Sequence, residues 1–250
     1  MKALKDTFTL LGRSLKHILR SPDTIITVAV MPIAFMLLFV YVFGGAIHTG
    51  AGNYVNYLLP GILLIAVASG VSYTAFRLFM DMQKGILSRF NSMPIKRSSV
   101  LWSHVLTSVV SNSISLAVII GVALIMGFRS SASILEWLAV IGILLLFMLA
   151  LTWLAVIPGL KAKSIDGASA FSYPLILLPF ISSAFVPTNT MPTVVRVFAE
   201  NQPVTAIVNA VRSLLSSSPV ASDIWIALAW CLGIGIIAYL FAVRIYKRIA

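Results

Sequence analysis

Long apolar runs, free of Lys, Arg, Asp and Glu, dominate the pattern along the chain. A helix needs roughly 20 apolar residues to cross a hydrocarbon core. Six runs reach that length: Thr24–Phe43, Tyr57–Phe76, Val100–Met126, Trp137–Ile157, Gly167–Val186 and Ile224–Val243. Breakers set several limits. Pro22 precedes the first run, Gly127 follows the third, and Pro158-Gly159 follow the fourth. The pattern predicts an all-α polytopic membrane protein with six transmembrane helices. The first run is longer than the 7–15 residues of a signal-peptide core, and no small-x-small cleavage site follows it. It is therefore expected to remain as a helix.

Three further stretches carry helical periodicity without being able to span. In residues 2–20, Leu4, Phe8, Leu11, Leu15, Ile18 and Leu19 recur at helical spacing among basic residues. That is the pattern of an interfacial amphipathic helix. In residues 187–216, Pro187 and Pro192 break the chain. Met191, Val194, Val195 and Phe198 follow at i, i+3, i+4, i+7. A second run opens on Pro203, a good first helical residue, and continues through Val204, Ile207, Val208, Val211, Leu214 and Leu215. It is too short to cross. It reads either as an interfacial cap or as a re-entrant piece closing one end of a path. Finally, the polar segment around residues 80–97 holds Lys84, Gly85, Ile86, Leu87, Arg89, Phe90, Met93 and Pro94. Apolar side chains among charges suit a short helix docking into a groove on another protein. A basic anchor with its apolar side on the bilayer is the other reading.

Composition agrees with the pattern. Of 250 residues 60% are hydrophobic and only 10% charged, against about 25% charged in an ordinary soluble domain. A soluble enzyme and a disordered chain are both excluded. One cysteine excludes a disulfide framework and a cysteine-based zinc site. The net charge of +11 would admit nucleic acid or anionic lipid as partner, so the placement of the charges decides. With the N-terminus inside, 15 of the 18 basic residues fall in inner segments; only Arg129, Arg196 and Arg212 lie outside. The acidic residues outside, Glu136, Glu200 and Asp223, balance those three. The whole excess is thus an orientation signal, predicting both termini cytoplasmic and an even number of spans. Nucleic acid is not expected as a partner; the lipid bilayer is.

No catalytic, cofactor-binding or metal-binding residue is expected. There is no phosphate-cradling G-x-x-x-x-G-K-[ST], no H-E-x-x-H and no G-x-S-x-G. The spans hold no ionisable Asp, Glu, Lys or Arg, which argues against an autonomous ion-coupled pump. One polar stripe stands out. His104, Ser108, Ser111, Asn112 and Ser115 lie within about 100° of one helix face. They either bond to a neighbouring helix or line a pathway or dimer seam. Ser172 and Tyr173, in a run broken by Pro174 and Pro179, pose the same choice. Prolines there predict a kinked helix whose freed carbonyls need partners.

Three motifs then bring a family into view: Tyr57-Leu58-Leu59-Pro60-Gly61-Ile62; Gly85-Ile86-Leu87 followed by Met93-Pro94-Ile95-Lys96-Arg97; and Ser183-Ala184-Phe185-Val186-Pro187, Met191-Pro192 and Gln202-Pro203-Val204-Thr205 with Arg212. In this order the chain resembles the permease subunit of bacterial type-2 ABC transporters, near the daunorubicin/doxorubicin-resistance group. The resemblance implies a bacterial plasma-membrane protein, without its own ATPase, that pairs with a separate ATPase subunit holding ATP and Mg. It also implies a second permease chain, identical or paralogous. Residues 2–20 would be the interfacial connecting helix, 80–97 the coupling loop, and 187–216 the outer gate region with Phe185, Pro187, Pro192, Gln202 and Pro203. The function expected is ATP-driven export of an amphiphilic drug, lipid or lipid-linked compound. An ATP-independent multidrug carrier and a non-transporting scaffold or immunity component are the alternatives.

Overall fold

The computed structural model describes residues 23–45, 53–86, 97–218 and 222–249. Helix α1 (Asp23–Leu37) runs on as a π-helical turn (Leu38–Phe43). Then come α2 (Tyr54–Gln83), α3 (Arg97–Ile125), α4 (Ile134–Lys161), α5 (Ile165–Ser169) and α6 (Ser172–Leu177). A 3-10 turn (Leu178–Ile181) continues α6, and a second (Thr188–Thr190) precedes α7 (Thr193–Glu200), α8 (Pro203–Leu215) and α9 (Asp223–Ile249). No strand occurs among the described residues. Four helices, α2, α3, α4 and α9, are long and apolar enough to cross a membrane.

Helix α2 is the axis of the bundle. Its apolar window is 83% buried, against 22% for α9, and it packs on α1, α3, α4, α5, α6 and α8. Helix α9 instead lies on α4 and α8 and turns Trp225, Trp230, Ile236, Ile237, Leu240 and Phe241 outward. Such a face has lipid as its matching solvent; in water it would be an aggregation surface.

Helices α2 and α3 run antiparallel along their whole length. At one end, the Asn53 amide donates to the Gly127 carbonyl at 3.0 Å. Asn56 donates to the Arg129 carbonyl at 3.0 Å and accepts from the Arg129 N–H at 3.1 Å. The same end ties in α8, because the Ser130 hydroxyl donates to the Leu215 carbonyl at 2.8 Å. A reciprocal capping box between Ser133 and Glu136 starts α4 there. At the opposite end, where α2 closes near Gln83, one polar pair (Asp81 with His104) sits beside contacts that are otherwise aromatic and apolar. Trp153 meets Trp102 (5.1 Å) and Tyr239 (4.8 Å) edge-on, over Leu78, Leu101, Val156 and Leu160.

The helices overrun the apolar runs. Helix α2 begins three residues before Tyr57, capped by Asn53, and continues to Gln83, with the Arg77 guanidinium laid over the Tyr73 ring at 4.9 Å. Pro158 does not end the fourth helix, which continues to Lys161 with Pro158 inside it. The run 167–186 is not one helix but α5, α6 and a 3-10 turn, followed by non-helical backbone. The stretch 2–20 lies outside the described residues.

Candidate functional site at the broken helix

Pro174 and Pro179 remove two N–H donors from an apolar run, so the chain leaves helical geometry soon after Ile181. Non-helical backbone at membrane depth survives only where protein satisfies it. Here side chains from sequence-distant elements do so. The Tyr54 hydroxyl donates to the Phe185 carbonyl (3.1 Å) and the Tyr57 hydroxyl to the Ser183 carbonyl (2.9 Å). From α8, Arg212 donates to the carbonyls of Ser183 (2.7 Å), Ala184 (3.3 Å) and Tyr57 (3.1 Å). Its guanidinium also lies 3.7 Å from the centre of the Tyr57 ring, a cation–π contact. Arg212 has no carboxylate within ion-pair distance among the described residues, so carbonyl dipoles and a ring face take the place of a counter-ion. Asn209 completes the cluster, accepting from the Ser183 hydroxyl (2.6 Å) and from Arg212 (3.2 Å).

Close approach makes this possible. A Cβ on Gly61 would lie 2.6 Å from the Ala184 Cβ, so only glycine lets the broken segment rest on α2. Phe185 is buried and stacks on Phe180 at 4.7 Å; Phe39 of the π-helical turn lies 4.6 Å from Phe185. Beside this segment an apolar cavity of about 380 Å³ opens between α4, α6, α8 and α9, lined by Phe147, Leu151, Leu178, Pro203 and Phe241 among others.

The expected site residues fall in different places. Gln202, buried at the start of α8, donates to the Leu178 carbonyl (3.4 Å) and to that of Ile181; Pro203 follows as the first helical residue. Pro187 precedes the second 3-10 turn and Pro192 precedes α7. Gln202, Pro203 and Phe185 therefore meet at the broken segment, while Pro187 and Pro192 shape its continuation. In the polar stripe Ser108, Ser111, Asn112 and Ser115 are all buried within the chain. Ser108 is hydrogen-bonded to Thr74 of α2. His104 pairs with Asp81 of α2 at 3.4 Å. Ser172 is buried and bonds to the Ser169 carbonyl at 2.7 Å, whereas Tyr173 beside it points outward. Lys84 is exposed, Gly85 has φ +66° and Ile86 is half-buried. Leu87, Arg89, Phe90, Met93 and Pro94 lie outside the described residues.

Residues 5–216 match the ABC-2 type transporter family. The chain belongs to the ABC-2 type transporter family. Its curated relatives span nearly its whole length. The daunorubicin resistance ABC transporter permease protein DrrB1 of Streptomyces coeruleorubidus is 28% identical over 252 residues, covering 98% of this chain and 87% of its own. The probable doxorubicin resistance ABC transporter permease protein DrrC of Mycobacterium tuberculosis is 26% identical, covering 95% and 86%. The putative transport permease ycf38 of Cyanophora paradoxa is 26% identical, covering 86% and 76%. The ABC-2 chain is thus a multi-pass membrane protein, the membrane component of a transporter class.

In this ABC-2 chain the residues that organise the break are Tyr54, Tyr57, Gly61, Asn209 and Arg212. Tyr57, Gly61 and Arg212 belong to family motifs, but the motifs do not reveal that the three meet, and Tyr54 and Asn209 stand outside them. A lone cation on the apolar periodicity of Val204–Leu215 was the one available hint.

Proposed function

We propose that the chain is the membrane-spanning permease subunit of an ATP-driven exporter of amphiphilic compounds, seated in the bacterial plasma membrane. The observation that carries this reading is the broken, side-chain-sealed segment at the end of α2 opposite the 84–96 loop. A permease driven from one side needs a docking surface there and a closure at the other. The loop, with Lys84, Gly85, Ile86, Leu87, Arg89, Phe90, Met93 and Pro94, is the surface for a separate ATPase, which holds ATP and Mg. Phe185, Pro187, Pro192, Gln202 and Pro203 form the outer closure. The apolar cavity beside it suits the hydrocarbon part of a drug or lipid, in keeping with the drug-resistance names of the relatives.

The charge distribution supports the orientation. With the loop end inside, the basic excess lies on the cytoplasmic face and both termini with it. The run Asp23–Phe43 and the broken 165–186 stretch then complete six crossings. Two such chains, identical or paralogous, assemble with two ATPases.

Reconstitution tests this. Vesicles holding the chain and its partner ATPase subunit should export a fluorescent amphiphile only with ATP. Export without the ATPase would mean a carrier, and no export in any condition a scaffold. Combining Arg89→Glu with Phe90→Asp should abolish ATPase association and leave membrane insertion intact.

A further inference from the structure

The loop leaves α2 through a turn of fixed geometry. The Lys84 N–H donates to the Met80 carbonyl and the Gly85 N–H to that of Met82, both at 3.0 Å. Gly85 sits at φ +66°, and nothing lies within 4 Å of where its Cβ would be. The left-handed backbone, not space, therefore calls for glycine. One turn earlier, Asp81 Oδ2 lies 3.4 Å from His104 Nε2 on α3. Among the described residues this is the one acid–base side-chain contact between two helices; the other, Arg196 with Glu200, is internal to α7.

The pair is the last rung of a polar seam between α2 and α3. Asn112 Oδ1 fills the space that a Cβ on Gly70 would need, 1.7 Å away. Next, Thr74 is hydrogen-bonded to Ser108. Then Asp81 meets His104. The α3 partners step by four residues toward the loop, about one helical turn each. Sliding would break the Thr74–Ser108 bond and the Asp81–His104 contact together and drive Asn112 off Gly70, so the register resists it.

We infer that Asp81 and His104 are a positioning pair: they lock the final turn of α2, and with it the Lys84–Gly85 turn, onto α3. The role of the loop rests on the exporter reading above; the locking itself is a property of one chain and is tested without the ATPase.

The test uses the full chain in phosphatidylethanolamine/phosphatidylglycerol vesicles, spin-labelled at Lys84→Cys. The native Cys231 is buried, 1% exposed, and does not take the label. An immobilised spectral component is expected in the otherwise native chain. Asp81→Asn or His104→Asn should lose it, and the exchange Asp81→His with His104→Asp should restore it. A label at Ile134→Cys, on the exposed start of α4 at the other end, should not change. Unchanged spectra in the single variants overturn the inference. So does loss without restoration by the exchange, or equal loss at Ile134, which would make the pair general packing. A native chain that passes this test yet shows no ATP-dependent export would sink the exporter reading and leave the pair standing.

Discussion

The two ends of α2 are held by opposite means. Near Tyr57, the neighbouring backbone is broken, and side chains of Arg212, Tyr54, Tyr57 and Gln202 reach its carbonyls. Near Leu78, the surrounding helices α3, α4 and α9 are continuous, and apart from the Asp81–His104 pair the contacts are Trp153, Trp102, Tyr239 and aliphatic side chains. A continuous helix satisfies its own backbone in lipid, so it asks its neighbours only for shape. A broken one asks for particular donors. Substitution should therefore cost more at the break than in the aromatic cluster.

The largest effect is expected for Arg212→Met, which removes a donor from the carbonyls of Tyr57, Ser183 and Ala184 at once and should cost about 3 kcal/mol. Arg212→Lys keeps the charge but not the fan of donors, and should lose about half of that. Reversible unfolding in mixed micelles reads both. Gly61→Val comes next, at about 2 kcal/mol, because its Cβ meets Ala184. Adding Ala184→Gly should recover part of the loss, a coupling that a double-mutant cycle measures. Trp153→Leu at the other end should cost only about 1 kcal/mol, since lipid replaces lost apolar contact better than lost donors. If Trp153→Leu matched Arg212→Met, the contrast between the ends would fail.

The smallest effect lies in α7. Arg196 Nε at 2.8 Å, and secondarily Thr188 at 3.1 Å, hold the Glu200 carboxyl below its ordinary value. A lowered value in the folded state stabilises at pH above the ordinary carboxylate pKa of about 4.3. That contribution fades as pH falls through the lowered value. Amide protection factors over residues 188–200, taken relative to the intrinsic exchange rate at each pH, should thus fall on acidification, and Glu200→Gln should remove that pH dependence.

Pattern reading located α4 and α9 because their apolar content and their helical backbone coincide. At Pro158 the helix runs on to Lys161, because proline removes one donor yet keeps a helical φ. Pro174 and Pro179 announced the break in the run 167–186, but hydropathy does not register dihedral angles, so where helix gives way to extended backbone was not legible. Gln202 and Pro203 were legible through local turn chemistry. Arg212 was not, since its partner Tyr57 stands 155 residues away and only the fold joins them. His104 was visible as a polar member of a stripe, but Asp81 lies beyond the run that had been taken as the second span.

The dependence of Ser183 and Ala184 on Arg212 also orders biosynthesis. The ribosome makes these carbonyls 29 and 28 residues before the side chain that binds them. At the usual elongation rates that interval is roughly 1–6 s. During it, the break has Tyr54 and Tyr57 but no guanidinium, so its carbonyls are only partly served. The seal is completed only once α8 has been made. Maturation of this half of the protein is therefore late, and a chain truncated before residue 212 should be recognised and degraded rather than accumulate.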